Sequence, residues 1–354
     1  MQKIKDLSVQ ELKDLMKLWG YPSYRGQQIY VWQSQKLVKS FDEMSNLPKD
    51  LLARLKENFL LESLKMICCE KSQDGSTQKL LCELSDGNLI ESVIMKYSYG
   101  YSVCVSTQVG CKMGCVFCES GAAGFVRNLT PAEILEQVIL AQRLVGRISR
   151  VVMMGIGEPL DNFENVLKFI LLVSDPNGLG IGQRKITIST SGLVDKMRML
   201  AKQKLQCGLS VSLHAPNDEI RNRIMPINQK WRVSELIACC KDYFVATRRR
   251  ITFEYTLIDG VNDEISNAVL LAQLVRGFAS HINLIPVNSG GNSSIKAPTA
   301  KKIKDFRAKL EELGILATKR RTLGVDILAG CGQLRSAKED KGFAECPKGG
   351  CLGG

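Results

Sequence analysis

The sequence predicts an α/β protein whose larger domain is built on a parallel sheet. Three observations support this fold class. From residue 101 onward, six apolar segments typical of strands alternate with amphipathic segments typical of helices, which favours a parallel sheet, barrel-like or open. The first 60 residues have a helical pattern instead. The length of 354 residues suffices for one large core and a smaller attached domain.

The six strand–helix units follow one another along the second part of the chain. In barrels of this type the chemistry lies at the C-terminal ends of the strands, so we expect functional residues directly after each strand. The predicted strands are Ser102–Ser106, Arg150–Met154, Lys185–Thr190, Gly208–Leu213, Ile251–Leu257 and His281–Pro286, and the predicted helices lie near 131–146, 162–173, 193–204, 234–246, 264–278 and 299–313.

The N-terminal segment predicts a small helical domain. Leucines recur at helical spacing over Leu7–Leu18, and Ser8 is suitably placed as the N-cap. Gly20-Tyr21-Pro22 ends this helix, and two more helices are expected around Arg25–Leu37 and Lys49–Phe59.

The segment that follows predicts strands at Lys79–Leu84 and Leu89–Met95, with turns at Asp74-Gly75 and Asp86-Gly87. The end of the chain is rich in Lys and Gly and is expected to be mobile. The predicted divisions are a helical accessory domain (1–60), a short β-rich linker region (61–100), a core domain (101–335) and a mobile C-terminal tail (336–354).

The charge of the chain suggests a polyanionic partner. Lys and Arg number 48 and Asp and Glu number 36, which gives a net charge of +12. The excess is concentrated in residues 101–250, which have 20 basic and 12 acidic side chains. This distribution favours RNA or DNA as a partner, with a merely solvated basic surface as the alternative. The densest basic runs are Arg248–Arg250 and Lys319–Arg321.

Composition also excludes several classes of protein. Hydrophobic residues make up 45% and charged residues 24%, which is typical of a globular chain. The N-terminus lacks the apolar region of a secretory signal, and no apolar run approaches the ~20 residues that span a bilayer. We therefore expect a cytoplasmic protein without a membrane partner. The 13 cysteines are then better explained by metal binding, catalysis or burial than by disulfides.

Three cysteines lie close together directly after the first strand of the core domain. Cys111, Cys115 and Cys118 could converge on one side of a loop and bind iron or zinc. A structural zinc site requires a fourth ligand, and the two histidines, His214 and His281, are distant in sequence. Three thiolates on a four-iron cluster would leave one iron open to a small molecule.

Small and polar residues follow the other strands. Gly157 would allow backbone to approach a ligand closely, and Glu158 could receive an ammonium group. Hydroxyl, imidazole and amide groups suited to a ribose or a carboxylate occur in Ser189–Gly192, Ser212-Leu213-His214 and Pro286-Val287-Asn288. By itself, a histidine such as His214 is more often a structural residue.

The spacing of the three cysteines resembles that of the radical S-adenosylmethionine (SAM) superfamily, and Met153–Pro159 resembles its "GGEP" motif. Over nearly the whole chain, to about residue 336, the sequence is similar to the RlmN/Cfr-type RNA adenine methyltransferases. Glu119 is one departure, because relatives usually have a small residue there. The blocks shared with the family are Cys104–Cys111, Arg127–Thr130, Ser212–Asn217 and Gly330–Leu334.

The resemblance implies a partial (β/α)6 barrel with an N-terminal helical domain that helps to hold RNA. It also implies a 4Fe-4S cluster on the three cysteines and two SAM molecules per turnover. It puts the contact with the SAM amino group at Gly157 and Glu158, and the polar strand ends add Ser189, Ser212, Leu213, His214 and Asn288 as expected SAM contacts.

The resemblance further implies a mechanism. Cys331 is first methylated by one SAM, and a radical from a second SAM takes a hydrogen from that methyl group. The methylene group then adds to carbon 2 of an adenine, with Glu91 as proton acceptor. Cys104 finally attacks the sulfur of Cys331, which gives a transient disulfide. The implied substrates are 23S rRNA and the adenine next to the anticodon in certain tRNAs, which must leave the base stack to react.

A reducing electron donor such as flavodoxin and a monomeric state are further expectations. Three alternatives remain at this point. The Cfr-type sister activity modifies carbon 8 instead of carbon 2. A non-catalytic RNA-binding protein could use the cluster as a structural element, and a zinc-binding module could use the same thiols.

Overall fold

The computed structural model describes residues 1–122, 124–288, 295–321, 323–334 and 337–338. The N-terminal domain contains the three predicted helices. Ser8 caps the first of them, because its hydroxyl accepts from the N–H of Glu11 while the Glu11 carboxylate accepts from the N–H of Ser8. The elements are β1 Gln2–Lys3, α1 Val9–Leu18, α2 Tyr24–Ser34, α3 Lys49–Asn58 and β2 Phe59–Leu60, with β1 parallel to β2.

Three antiparallel strands come next: β3 Leu64–Lys71, β4 Thr77–Leu84 and β5 Asn88–Tyr97. Both predicted turns are present, with φ of +66° at Gly75 and +76° at Gly87. The segment was expected to be a linker, but β5 pairs along Val93–Tyr97 with the first barrel strand. It therefore extends the barrel sheet, because these strands leave their backbone edges free to pair with it.

The barrel begins with β6 Gly100–Cys104. A hairpin of β7 Gln108–Gly110 and β8 Phe125–Asn128 follows, and the short helix α4 Glu119–Ala122 lies between its strands. The remaining elements are α5 Pro131–Val145, β9 Ile148–Met153, α6 Phe163–Ser174, β10 Ile186–Thr190, α7 Val194–Lys202, β11 Gly208–Ser212, α8 Asp218–Ile224, α9 Val233–Thr247, β12 Ile251–Leu257, α10 Ile265–Val275, β13 Ser280–Pro286, α11 Ala300–Glu312 and β14 Ala317–Lys319.

The main sheet has the order β14-β13-β12-β11-β10-β9-β6-β5-β4-β3, and all pairs from β6 to β14 are parallel. All six predicted barrel strands are therefore confirmed, in the expected order. The short β14 adds a seventh parallel strand that the pattern did not predict. Of the predicted C-terminal tail, only β15 Ala337–Lys338 is described, and it pairs with the start of β5. The rest of the tail lies outside the described residues.

Candidate active site

The three clustered cysteines lie on the loop between β7 and α4, which we call the cluster loop (residues 111–118). The β7–β8 hairpin closes its base, where the N–H of Cys111 donates to the carbonyl of Gly124 at 2.9 Å. Gly110 makes this closure possible, because a Cβ there would lie 1.8 Å from the same carbonyl oxygen. The far side of the loop is held by the N–H of Val116, which donates to Ile224 at the end of α8 at 3.1 Å.

All three cysteine side chains of the cluster loop line one cavity at the C-terminal mouth of the barrel. Burial raises the pKa of the Cys111 thiol to about 12 and also raises the pKa values of Cys115 and Cys118. Thiolates at these positions therefore need a positive partner, which a bound metal cluster supplies. Within the described ranges, no three His, Cys, Asp or Glu side chains are grouped around a position for a single metal ion. Three thiols on one short loop that line one cavity are the donor set that an iron–sulfur cluster takes.

Nearly all predicted SAM-contacting residues line the same cavity: Gly157, Glu158, Ser189, Ser212, His214 and Asn288. Leu213 differs, because its side chain is fully buried in the core. Its backbone N–H donates to Glu254, and its carbonyl accepts from Arg221. Leu213 therefore affects the cavity only through the position of its backbone, and its side chain belongs to the core.

Gly157 and Glu158 occupy a tightly packed turn after β9. Gly157 has φ of +102°, and a Cβ there would lie 2.5 Å from Gln108 Cβ. The buried Glu158 carboxylate accepts from the backbone N–H groups of Leu160 at 3.0 Å and Ser191 at 2.7 Å. Burial raises the pKa of this carboxyl. Glu158 therefore links the ends of β9 and β10 in addition to facing the cavity.

His214 has a structural role as well as a place in the cavity wall. Its Nδ1 accepts from the N–H of Thr256 at 2.8 Å, so the neutral ring has its proton on Nε2. Burial and, after it, the nearby Arg221 together lower the pKa of His214 to about 3. The imidazole lies edge-on to Phe117 of the cluster loop, with ring centroids 4.9 Å apart.

Four buried side chains, Gln108, Glu158, Arg221 and Asn262, connect successive strand ends, and we call them the strand-end ring. Gln108 accepts from the Glu158 N–H at 2.8 Å. Arg221 donates to the carbonyl of Ser191, which follows β10, and to the carbonyl of Ser212, which ends β11. Asn262 donates at 2.7 Å to the carbonyls of His214 and Thr256.

A second cavity adjoins the first and contains Cys104 as well as Cys331. Its walls come from β5, through Val93, Met95 and Tyr97, and from the segment around Cys331. Cys331 lines both cavities and thus lies where they meet. Asn288 Nδ2 donates to the Cys331 carbonyl at 3.1 Å. Burial and, after it, the nearby Cys331 raise the pKa of the Cys104 thiol to about 12, although Arg320 acts to lower it.

Arg320 is an active-site residue that the sequence did not identify as such. It was interpreted as part of a basic surface run, but its side chain lines both cavities. Electrostatic interaction with Cys331 is the largest of several effects that raise the pKa of Arg320, and Cys104 also contributes. The backbone N–H of Arg320 donates to the carbonyl of Leu284 at 2.8 Å, so the Cα of Arg320 is held beside β13.

Glu254 is a second residue that sequence reasoning missed. It lies on β12, lines the first cavity, and is held by Ser210 Oγ at 3.1 Å and Asn283 Nδ2 at 2.7 Å. Burial raises the pKa of its carboxyl. The signal was present in the sequence, because Thr252, Glu254 and Thr256 place polar groups at every second position of an otherwise apolar strand.

Glu91 lies on β5, two residues before Val93 and thus on the same face of the sheet. Its carboxylate is buried and forms an ion pair with Lys79 at 3.5 Å. Glu91 is not among the described residues that line the two cavities.

The basic runs have different surroundings. Arg248–Arg250 lie at the N-terminal mouth of the barrel, where Arg249 donates to the carbonyl of Cys207 at 2.9 Å. Arg321 lines the second cavity, whereas Lys319 is exposed on β14. No helix within the described part of the chain is long and apolar enough to cross a membrane.

Comparison with known families matches two parts of the chain. Residues 105–272 match the radical SAM superfamily. Residues 2–61 match the family described as the ribosomal RNA large subunit methyltransferase N-terminal domain.

Full-length relatives are also similar. A probable dual-specificity RNA methyltransferase RlmN of Clostridium perfringens is 49% identical over 95% of this chain and 97% of its own length. The corresponding protein of Desulforamulus reducens is 48% identical over 96% and 97%. Among solved structures, a radical SAM methyltransferase from Sphaerobacter thermophilus has a TM-score of 0.92 and 43% identity, and the match covers 95% of this chain and 99% of that one.

Proposed function

The chain belongs to the RlmN family of radical SAM methyltransferases, with a 4Fe-4S cluster and SAM as cofactors, and we propose that it methylates carbon 2 of adenine in two kinds of RNA. The substrates are one adenine of 23S rRNA and the adenine next to the anticodon in certain tRNAs. The observation that supports this most strongly is the shared cavity of Cys104 and Cys331, which opens into the cavity of the cluster loop.

Adenine carbon 2 requires unusual chemistry. It is electron-poor and has no acidic proton, so it cannot act as a nucleophile toward a methyl donor. When bound, the cluster and SAM supply the one-electron chemistry that avoids this difficulty. Cys111, Cys115 and Cys118 would hold the cluster, and Gly157, Glu158, Ser189, Ser212, His214 and Asn288, which line the same cavity, would surround SAM.

Cys331 is the residue on which the methyl group is assembled. Its sulfur accepts a methyl group, and that group loses one hydrogen atom before its carbon bonds to adenine carbon 2. The adduct then gives up one electron, which the cluster would take up when bound, and the proton of carbon 2. The family resemblance assigns this proton to Glu91, which lies on β5 two residues before the cavity-lining Val93. Because Cys331 lines both cavities, its sulfur can meet SAM on one side and the base on the other.

Cys104 releases the product. Its thiolate attacks the Cys331 sulfur, a disulfide forms, and the methylene carbon leaves with the electron pair of the broken bond and takes up a proton. Burial disfavours the Cys104 thiolate, and the Arg320 guanidinium nearby opposes part of this effect. A donor such as flavodoxin serves to reduce the cluster at the outset and the disulfide after each turnover. One chain provides every residue of this scheme, so we propose a monomer.

Nucleoside mass spectrometry tests the target atom. The reconstituted protein is incubated with SAM, a reductant and RNA fragments of each kind, and the RNA is digested. We expect 2-methyladenosine in both fragments. Formation of 8-methyladenosine alone would identify the carbon-8 sister activity instead, and an unmethylated product would favour the non-catalytic alternative. Iron and sulfide analysis of anaerobically purified protein distinguishes the cluster from zinc.

Cysteine variants test the proposed relay. Cys104→Ala should accumulate a covalent protein–RNA species, because nothing can break the bond to Cys331. Cys331→Ala should form neither this species nor methylated RNA. Cys207→Ala is the matched control, since this buried cysteine lies outside both cavities. Normal RNA methylation by either of the first two variants would contradict the scheme.

A further inference from the structure

Arg221 is one of the largest fully buried side chains in the described part of the protein. It lies on α8, and all five of its N–H groups are used, which only an arginine can achieve. The acceptors are Leu213 O at 3.1 Å from Nε, Asn228 Oδ1 at 3.0 Å and Trp231 O at 3.4 Å from Nη1, and Ser191 O at 2.7 Å and Ser212 O at 3.1 Å from Nη2.

The acceptors locate Arg221 behind the cofactor cavity. Ser191 follows β10, Ser212 ends β11, and Leu213 comes next, so one guanidinium fixes the spacing of two neighbouring strand ends. Side chains of Ser191 and Ser212 line the cavity in which SAM binds. The Ser191 side chain is buried there beside the Glu158 carboxylate. Arg221 therefore determines where these cavity-lining groups stand.

The hydrogen bonds explain the position of Arg221 but not the burial of its positive charge. Its five acceptors are four carbonyls and one amide, none of them charged, and burial lowers its pKa to about 10. The nearby Asp218 accepts instead from Asn228 and from the N–H of Val233. Burying a cation without a direct ion pair is unfavourable. A neutral side chain would avoid that cost, so the retained charge points to a role.

The cluster loop is the neighbour on which this charge acts. The Cys115 thiol interacts electrostatically with Arg221, and it packs against Ile224 and Met225 at the end of α8. The hydrogen bond from Val116 to Ile224 ties the same helix to the loop. When the cluster accepts an electron, negative charge increases on its sulfur ligands. A fixed cation behind one ligand stabilises that reduced state.

We propose that Arg221 is a positioning residue with two roles: it holds the ends of β10 and β11 at the spacing that SAM requires, and its charge behind Cys115 makes the cluster easier to reduce. This goes beyond membership of the family and does not depend on the identity of the RNA substrate.

The test compares Arg221→Met with Arg221→Lys in anaerobically reconstituted protein. Cluster reduction is followed by electron paramagnetic resonance in a redox titration, and SAM binding by calorimetry, both without RNA. Arg221→Met should have a more negative midpoint potential and bind SAM about tenfold more weakly. Arg221→Lys should retain a potential near that of the wild type, because it keeps the charge, but it should also bind SAM more weakly, because it loses hydrogen bonds.

Arg223→Met is the matched control, since Arg223 lies on the same helix and is exposed. An unchanged potential in iron-replete Arg221→Met would overturn the electrostatic role, and wild-type SAM affinity in both Arg221 variants would overturn the positioning role. If Arg221→Met does not retain a cluster, Asn228→Asp takes its place. This change sets a carboxylate against Nη1, where the amide oxygen now lies at 3.0 Å, and cancels the charge. A potential equal to that of the wild type would then refute the proposal.

Discussion

The strand-end ring and the contact between the two domains are stabilised by different interactions. In the ring, Gln108, Glu158, Arg221 and Asn262 each bond to backbone groups of a neighbouring strand end. Between the N-terminal domain and α5, ion pairs between side chains lie beside hydrogen bonds to backbone, such as those of Arg143 to the carbonyls of Leu37 and Val38. The ion pairs are Lys3 with Glu133 at 2.9 Å and Lys5 with Glu136 at 3.2 Å, and we call the four residues the domain seam.

Because of this difference, the two regions should respond differently to acid, salt and substitution. Backbone groups do not titrate, the amides of Gln108 and Asn262 do not either, and Arg221 keeps its proton at neutral pH, so Glu158 is the one ring member whose hydrogen bonds depend on acid. The seam depends on ionised partners, so its strength changes when either charge is lost. The proposed cofactor site is thus preorganised, whereas the strength of the contact with the N-terminal domain depends on the charges of the seam. Four sets of variants test whether the ring and the seam differ in this way.

The largest effect on stability is expected at the seam. Lys5→Met leaves the Glu136 carboxylate buried without its cation and should lower the free energy of unfolding by about 3–5 kcal/mol. The double variant Lys5→Met, Glu136→Met should recover part of this loss, because no unpaired charge remains. Urea denaturation measures both. If the double variant is no more stable than Lys5→Met alone, the ion pair is not the source of the loss. SAM affinity should change in neither.

Asn262→Ala should have the next largest effect, about 3 kcal/mol, because three buried hydrogen bonds are lost: to His214, to Thr256 and from Ile258. In contrast to the seam variants, it should also weaken SAM binding, since His214 and Thr256 line the cofactor cavity. Asn177→Ala, in an exposed turn, serves as the control. Full SAM affinity in Asn262→Ala would show that the ring does not position the site.

Acid should weaken the seam through Glu133. Burial raises the pKa of this carboxyl, but its bonds to Arg127, Thr130 and Lys3 outweigh burial and lower the pKa below the usual 4.5. Its contribution, about 2 kcal/mol, is therefore present above pH ~4.5 and is lost as the pH falls through the folded pKa. Glu133→Gln should flatten the decrease in stability measured between about pH 5 and pH 3. An equally steep decrease in this variant would exclude Glu133 as its origin.

The smallest effect is expected for Lys168→Ala. Lys168 on α6 pairs with Glu11 on α1 at 2.8 Å, but the two side chains are 36% and 45% exposed. Solvent screens such a pair, so its loss should cost at most about 0.5 kcal/mol, and 1 M salt should remove the difference from the wild type. A larger, salt-independent cost would mean that packing, rather than charge, joins the domains here.

Much of the fold followed from local patterns. Alternating periodicity placed the six barrel strands close to their observed limits, and the Ser8 cap and both Asp-Gly turns were also predicted correctly. These features depend on neighbours within a few residues, which is the range that sequence patterns report. The spacing of Cys111, Cys115 and Cys118 similarly identified the cluster loop, because three ligands on one short loop need no distant partner.

The strand–helix rhythm, the cluster loop and the family could thus be predicted from local sequence patterns. Three features became apparent only in the folded chain: residues 61–100 extend the barrel sheet, Arg320 lines the cavity of Cys104 and Cys331, and Asn262 bonds to His214, 48 positions away. All three have the same cause. Sheet register and strand order determine which side chains face inward and which strand ends meet, and both arise from pairing between segments that are distant in the chain.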